Sequence, residues 1–330
     1  GKAAEADIPV VTVDFEEAGL PEVGEVTSLD APHRLADAIL RDSLNNGVKF
    51  RESDEGKLLN TASLGNATEL YGICPTALVF GLWDSTGPRG GLGTKFQRAL
   101  VGEVIGVNVS IGVKPSSRID PLGIEKAGAD IYEAADGSGW TIDATKAKKS
   151  GGKPVKYGKE GKPSEINHGN VTPSLKNEKN QPHHGGATMD YAQQSVVISL
   201  PALRRLRFPD GEGQVTSQRD DAARTALSAL AIAAAQLSID QGCDLRSRCL
   251  LIPDTNAPAS WEIIGSDGST TPCTIADATA LVNEAAKAAA AAGLPAWKRK
   301  PLVLQPSEGL AGLVHKSREL AIAEADEAGD

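Results

Sequence analysis

The polar stretch at residues 136–188 is the feature that most limits how this chain can fold. It is rich in Gly, Lys, Asn and Pro, and its few apolar residues follow neither a helical nor a strand period. A loop of this length inside a compact domain is usually functional or disordered. The chain must therefore build its core from the segments on either side of this stretch.

The flanking segments alternate irregularly between strand and helix patterns. Residues 48–60 read as a polar hairpin with a turn at Glu55-Gly56, and the segment from Lys95 to Ile111 starts helical and ends β-like. This irregular order favours an α+β sheet carrying helices on one face over a regular doubly wound sheet. Strands are predicted at 7–15, 77–83, 195–200, 245–252 and 302–304. Helices are predicted after Asp30, from Asp220 as the cap to about Ile239, from about Thr274 to Gly293, and at the acidic C-terminal end.

Composition limits the classes of protein to consider. The 330 residues contain no stretch of about 20 apolar residues such as a membrane span needs. The four cysteines are scattered, which is typical of thiols that pack in a core in a reducing compartment. A cytoplasmic protein without membrane contact is expected. The cysteines are Cys74, Cys243, Cys249 and Cys273.

The net charge of −9 is unevenly distributed. Residues 1–30 hold eight acidic residues and one Lys, and residues 301–330 hold six acidic and two basic residues. By contrast, residues 144–180 carry nine Lys against three Glu, and residues 85–120 carry five bases against two acids. Either the protein has a basic face that could bind nucleic acid, or the Lys-rich segment is a solvated loop.

The stretch "WDSTGPRGGLGTKFQRAL" at residues 83–100 resembles a phosphate-binding loop, because an apolar run precedes a glycine-rich turn. The order Gly93-Thr94-Lys95 does not match the nucleotide-binding motif, in which Lys follows the last Gly and a hydroxyl comes next. Backbone N–H groups beside Arg89, Lys95 and Arg98 would still suit phosphates of any kind, including those of a nucleic acid. The alternative is a solvated glycine turn.

Candidate catalytic groups are few. The five histidines, including the pair His183-His184, show no zinc-like spacing with the cysteines, so no metal site or cofactor is expected. Asp84 follows the predicted strand beside the glycine loop, where it could be a catalytic acid or could cap the turn. Aromatic residues are only 4% of the chain, which argues against an ordinary RNA-stacking platform. A protein of this kind would hold RNA through phosphates and 2′-hydroxyls, with little sequence preference.

Six stretches together resemble the RNA-coating backbone subunit of a type I CRISPR surveillance complex. More narrowly, they resemble the subunit of subtype I-G (formerly I-U), in the repeat-associated mysterious protein (RAMP) superfamily. The stretches are "TSLDAPHRLADAILRDS" (27–43), "CPTALVFGLWDSTGPRGGLGTKFQRALVGEVIGV" (74–107), "SSRIDPLGI" (116–124), "HGNVTPS" (168–174), "SVVISLPALRRLRFP" (195–209) and "LRSRCLLIP" (245–253).

The resemblance implies a single RAMP-type domain over residues 1–330, with an RNA-recognition-like (ferredoxin-like) palm and large inserted fingers and thumb. Residues 125–164 would be the fingers-like or flexible insertion. Residues 165–194 would be the thumb, and residues 255–330 a C-terminal extension of uncertain role.

The resemblance also implies a function. Copies would line up head to tail on the spacer of a guide RNA, within a Cascade complex that contacts a target DNA strand and includes other subunits. The alternative is an RNA-cleaving subunit, as in type III complexes, using Asp84 or Asp120. The RNA-binding residues assigned on this basis are Arg34, Arg89, Lys95, Arg98, Arg118, His168, Asn170, Arg204 and Arg205.

Overall fold

The computed structural model describes residues 7–84, 95–113, 121–124, 128–168, 184–245, 249–297 and 302–329. The chain divides into two compact units. Unit 1 comprises residues 1–103 and 194–323, and unit 2 comprises residues 104–193 and 324–330. The boundary falls within two paired strands, so residues 104–193 leave unit 1 and return to it as one insertion.

The N-terminal part of unit 1 alternates short strands and short helices. Two 3₁₀ turns, Arg34–Ala36 and Phe50–Glu52, link several of them. The elements are β1 (Val11–Asp14), β2 (Glu25–Thr27), α1 (Ala38–Arg41), β3 (Ser43–Asn45), β4 (Val48–Lys49), α2 (Asp54–Thr61), α3 (Thr68–Ile73), α4 (Pro75–Phe80), β5 (Leu82–Trp83), β6 (Lys95–Phe96) and β7 (Leu100–Val107).

Unit 2 contains short strands and one 3₁₀ turn. Strands β9 to β12 form two hairpins, and the second of them, β11–β12, lies in the Lys-rich segment, whose described part is residues 144–168. Buried Ile131 and Ala147 lie outside the main core. The elements are β8 (Ser110–Val113), β9 (Tyr132–Glu133), β10 (Trp140–Thr141), β11 (Lys149–Ser150), β12 (Lys153–Pro154), the 3₁₀ turn Pro163–Ile166 and β13 (His184–Thr188).

The chain then returns to unit 1 along a strand that pairs with β7. The remaining elements are β14 (Tyr191–Ile198), α5 (Leu200–Arg204), α6 (Ser217–Gln241), β15 (Cys243–Asp244), β16 (Leu250–Leu251), β17 (Trp261–Ile264), β18 (Thr270–Cys273), α7 (Ala278–Ala291), β19 (Leu302–Pro306) and α8 (Glu308–Gly329).

The main sheet of unit 1 has five strands in the order β2-β1-β19-β3-β4. Strands β1 and β19 are parallel, with Val11 opposite Leu302, and the other described pairings are antiparallel. The fold is therefore α+β, as the sequence predicts. Because β19 is the middle strand, the C-terminal part of the chain completes the sheet rather than extending from it.

One hydrophobic core joins this sheet to the helices of unit 1. It includes Val13 of β1, Leu78 of α4, Leu227 of α6, Val282 of α7 and Leu304 of β19, all of which are buried. By length and composition α6 could cross a membrane, but a core helix of a soluble protein has the same properties. Many of the apolar side chains of α6 are buried in unit 1, as is typical of a core helix.

Several sequence predictions are confirmed. The strands β1, β14 and β19 overlap the strands predicted at 7–15, 195–200 and 302–304, and the two long helices form where they are expected. Thr216 rather than Asp220 caps α6, because its side chain accepts a hydrogen bond from the Arg219 N–H. Asp277 caps α7 in the same way through two N–H groups.

The predicted strand at 77–83 is wrong over most of its length. Residues 75–80 form the helix α4, which begins with Pro75 at its first turn and is buried on nearly all sides. A short apolar run without periodicity does not distinguish a buried strand from a buried helix, and Pro at the first turn favours the helix. Only Leu82 and Trp83 are extended. After the glycine loop, Lys95 and Phe96 start a strand instead of the predicted helix.

The predicted turn at Glu55-Gly56 is also wrong. Both residues lie in α2, where Gly56 is required because a Cβ there would collide with the Phe50 carbonyl. The hairpin turn is Asn46-Gly47, between β3 and β4. Both residues have positive φ (50° and 80°), as a two-residue Asn-Gly turn requires.

The predicted helix after Asp30 is reduced to a 3₁₀ turn and the single turn α1, because Arg34 has a positive φ of 50° that a right-handed helix cannot continue. The predicted strand at 245–252 is replaced by the short antiparallel strands β15 and β16, and residues 246–248 lie outside the described part.

Candidate nucleic-acid interface

The glycine loop is carried on the hairpin formed by β5 and β6. Leu82 pairs with Phe96, and Trp83 pairs with Lys95. Leu82 and Phe96 are buried, whereas Trp83 and Lys95 are exposed, as the alternation of side chains along strands dictates. The loop itself, residues 85–94 with Arg89, lies outside the described residues. Because the glycine loop is followed by a strand and not by the helix of a nucleotide-binding loop, the geometry agrees with the mismatch in the motif.

Three cations surround this hairpin. The Lys95 ammonium lies 4.8 Å from the centroid of the Trp83 ring, and the Arg34 guanidinium lies 5.6 Å from that of Phe80. Arg98 passes against Gly81, whose φ is 83°; a Cβ at Gly81 would lie 3.0 Å from the Arg98 Cγ. Gly81 therefore provides both the backbone conformation and the space that bring Arg98 to the end of α4.

The charges of Arg34 and Arg98 lie close enough to influence one another. Burial lowers the pKa of Arg34, and the positive charge of Arg98 acts in the same direction. Within the described ranges, none of Arg34, Lys95 and Arg98 forms an ion pair with a carboxylate. Neighbouring cations that no acid neutralises favour an anionic ligand.

A fourth cation reaches the same hairpin from α5. The Arg205 Nη1 donates a hydrogen bond of 2.7 Å to the Gln97 Oε1, one residue from Arg98. Arg204 is exposed in the last turn of the same helix. We define Arg34, Lys95, Arg98 and Arg205 as the basic cluster. The structure thus places together four of the nine residues that the sequence assigns to RNA binding.

The other assigned residues are not placed in the basic cluster. Arg89, Arg118 and Asn170 lie outside the described residues. His168 belongs to unit 2, where its backbone N–H donates to the Pro163 carbonyl at 2.8 Å. Among the described residues, no three His, Cys, Asp or Glu side chains are grouped as a metal site would require.

Asp84 has an identified partner. Its buried carboxylate accepts a 2.7 Å hydrogen bond from the Arg51 Nη2, and Arg51 also donates to the Asn60 Oδ1 at 3.0 Å. This ion pair fixes the point where the chain enters the glycine loop. Asp120, the other acid considered, lies outside the described residues.

The sequence reasoning missed Arg51, Gln97 and Trp83. The sequence around Arg51 and Gln97 does not indicate their roles, because their hydrogen-bond partners lie far away in the chain. Trp83 had a local signal, because it ends the apolar run directly before the glycine loop, although the low aromatic content of the chain argues against stacking.

Comparison with known proteins gives one match. Residues 1–111, which contain three of the four residues of the basic cluster, match a family model described as CRISPR-associated protein GSU0053. No curated protein and no solved structure matches the chain. This match over the first third of the chain indicates that the protein is CRISPR-associated.

Proposed function

We propose that this protein is a non-catalytic guide-RNA-binding backbone subunit of a type I-G Cascade complex, a RAMP-superfamily member with an RNA-recognition-like palm. Copies would polymerise head to tail along the spacer, with the target DNA strand and other Cascade subunits as further partners. The observation that carries the proposal is the basic cluster, which lies mostly within the segment that matches a CRISPR-associated family.

The chemistry of the basic cluster suits RNA phosphates. Lys95 and Arg98 are exposed and Arg34 is half-buried, so phosphates can reach them from solvent. Lys and Arg contacts to phosphates position a nucleic acid without reading its sequence. A subunit that coats many different spacers needs this kind of binding.

The charge distribution supports head-to-tail assembly. The acidic residues 1–30 lie in unit 1, where β1 pairs with β19 and Glu22 pairs with Arg318 at 2.9 Å. Unit 2 carries the exposed lysines of the Lys-rich segment. An interface between two different patches of this kind is heterologous, and it propagates along RNA unless its rotation closes a ring.

The Arg51–Asp84 ion pair supports the non-catalytic role. A carboxylate that is buried and held by a guanidinium is a poor candidate for a metal ligand or a general base in RNA cleavage. Incubation of the assembled complex with labelled complementary RNA and magnesium should therefore give no regularly spaced cuts.

The dependence of RNA binding on salt tests the proposal directly. On single-stranded RNA, each neutralised phosphate contributes about −0.7 to the slope of log affinity against log salt. The Arg98→Ala variant should make this slope less steep by about 0.7, the contribution of one phosphate. The loss of affinity should be similar for unrelated RNA sequences. Lys287→Ala, which removes an exposed charge on α7, is the matched control and should leave the slope unchanged. A loss confined to one RNA sequence would indicate base recognition and would contradict phosphate binding.

A further inference from the structure

Trp83 differs from the other tryptophans in its surroundings. It is 51% exposed, whereas Trp297 is buried and Trp261 donates a hydrogen bond to Gln236 at 3.3 Å. Trp140 is exposed to a similar extent, at 44%, but lies in the β9–β10 hairpin of unit 2. Trp83 alone stands within the basic cluster.

The position of Lys95 makes the Trp83 ring suitable for a second partner. The ammonium lies 4.8 Å from the ring centroid and holds the indole by a cation–π contact. Because half of the residue remains accessible, the ring keeps surface for another flat group. Leu82 and Phe96, on the buried side of the same hairpin, fix the strands that carry both residues.

A nucleobase is the partner that fits these surroundings. Single-stranded nucleic acids are commonly held by cations that follow the phosphates and by an aromatic ring on which a base stacks. Lys95, which pairs with Trp83 across the β5–β6 hairpin, and Arg98, further along the same segment, provide these cations. A hydrophobic protein partner would not require unneutralised positive charge around the ring.

We propose that Trp83 stacks on one nucleobase of the bound RNA, while Lys95 and Arg98 contact the adjacent phosphates. This inference rests on the proposed RNA-binding function and adds one base contact to it. Every base has a π face, so the contact tolerates any sequence. It therefore adds affinity without conflicting with the coating of many different spacers.

Paired RNA probes separate stacking from phosphate contacts. The full chain is titrated, by fluorescence anisotropy, with labelled single-stranded oligoadenylate and with an abasic oligomer that has the same sugar-phosphate chain. Trp83→Ala should weaken binding to oligoadenylate by about fivefold to a hundredfold, and Trp83→Phe should restore most of the affinity. On the abasic oligomer, the wild-type protein and Trp83→Ala should bind equally. Trp140→Ala is the matched control and should leave both affinities unchanged.

Several results would overturn the inference. The first is an equal loss on both probes, which would mean that Trp83 supports the phosphate contacts rather than a base. The second is unchanged RNA affinity together with weaker self-association, which would assign Trp83 to a protein interface. The third is a Trp83→Ala variant whose unfolding temperature falls and whose RNA affinity Trp83→Phe does not restore.

If Arg98→Ala weakens binding while Trp83→Ala does not, the stacking fails and the proposed function stands. If the wild-type protein binds neither probe, the proposed function fails as well.

Discussion

Replacing Asp220 with Ala should destabilise unit 1 by about 3–5 kcal/mol, because it leaves the largely buried Arg224 guanidinium without its buried counter-charge. The Asp220 carboxylate is buried and accepts from Arg207 at 2.8 Å, from Arg224 at 3.0 Å and from the Phe208 N–H at 2.9 Å. It thereby ties α6 to the segment that follows α5. For a unit of this size the unfolding temperature should fall by roughly 6–20 °C in calorimetry.

Asp221→Ala is the matched control for this prediction. Asp221 is the next residue on α6 and also pairs with Arg224, at 3.2 Å, but its side chain is 73% exposed. Exposed ion pairs contribute about 0–1 kcal/mol, so this variant should change the unfolding temperature little. Equal effects of the two substitutions would show that Asp220 does not hold α6 in place.

Removing the insertion of unit 2 should preserve folding and abolish assembly on RNA. The Val107 carbonyl accepts a 3.0 Å hydrogen bond from the Asp190 N–H, and the side chains of Asn108 and Asp190 are joined at 2.8 Å. Asn108 has a positive φ of 55°. Replacing residues 109–189 with a single Gly should therefore close β7 and β14 by a two-residue Asn-Gly turn, the geometry that hairpins prefer.

The expected folding result follows from the core. Among the described residues, none between 109 and 189 belongs to the main hydrophobic core, so the thermal unfolding of unit 1 should be nearly unchanged. A second variant, in which Asn-Gly replaces residues 114–183, keeps β8 and β13 and removes the Lys-rich segment. Both variants should remain soluble and fail to form ordered multimers on RNA. Insolubility of both would show that the insertion is structural, and normal assembly of the second would exclude the Lys-rich segment from the interface.

The structure also changes how the predicted thumb should be tested. Residues 165–194 end within β14, and they include β13, which pairs with β8 from Ser110 to Val113. A linker in place of 165–194 would leave β8 unpaired and shorten β14. The sequence shows where apolar periodicity stops. It does not show that β13 pairs with β8, because the two strands lie about 80 residues apart in the chain.

Long elements were predictable from the sequence because their signals are local and repeated. Helix α6 has apolar residues at helical spacing over many turns. Helix α7 is capped by Asp277 and ends before Gly293, which has a positive φ of 86°. The short elements from β3 to β6 were not, since two to eight residues carry too little periodicity to separate helix from strand.

The candidate site was predictable only in part. The nearness of Lys95 and Arg98 follows from their spacing, but Arg34 and Arg205 join them through tertiary packing. Asp220 illustrates the same limit, because its sequence position suggests a helix cap whereas two arginines draw its carboxylate into the core. At each of these residues the tertiary fold, rather than the neighbouring sequence, determines which side chains lie close by.

The central claim is that copies of this protein assemble along RNA, and the mass of the complexes tests it most directly. Mass photometry of the full chain with a series of guide RNAs of increasing length should show a monomer or weak association without RNA. With RNA, the mass should rise in steps of one subunit as the guide lengthens, because a heterologous interface propagates until the RNA ends. A fixed oligomer of the same mass at every RNA length, or without RNA, would contradict the account.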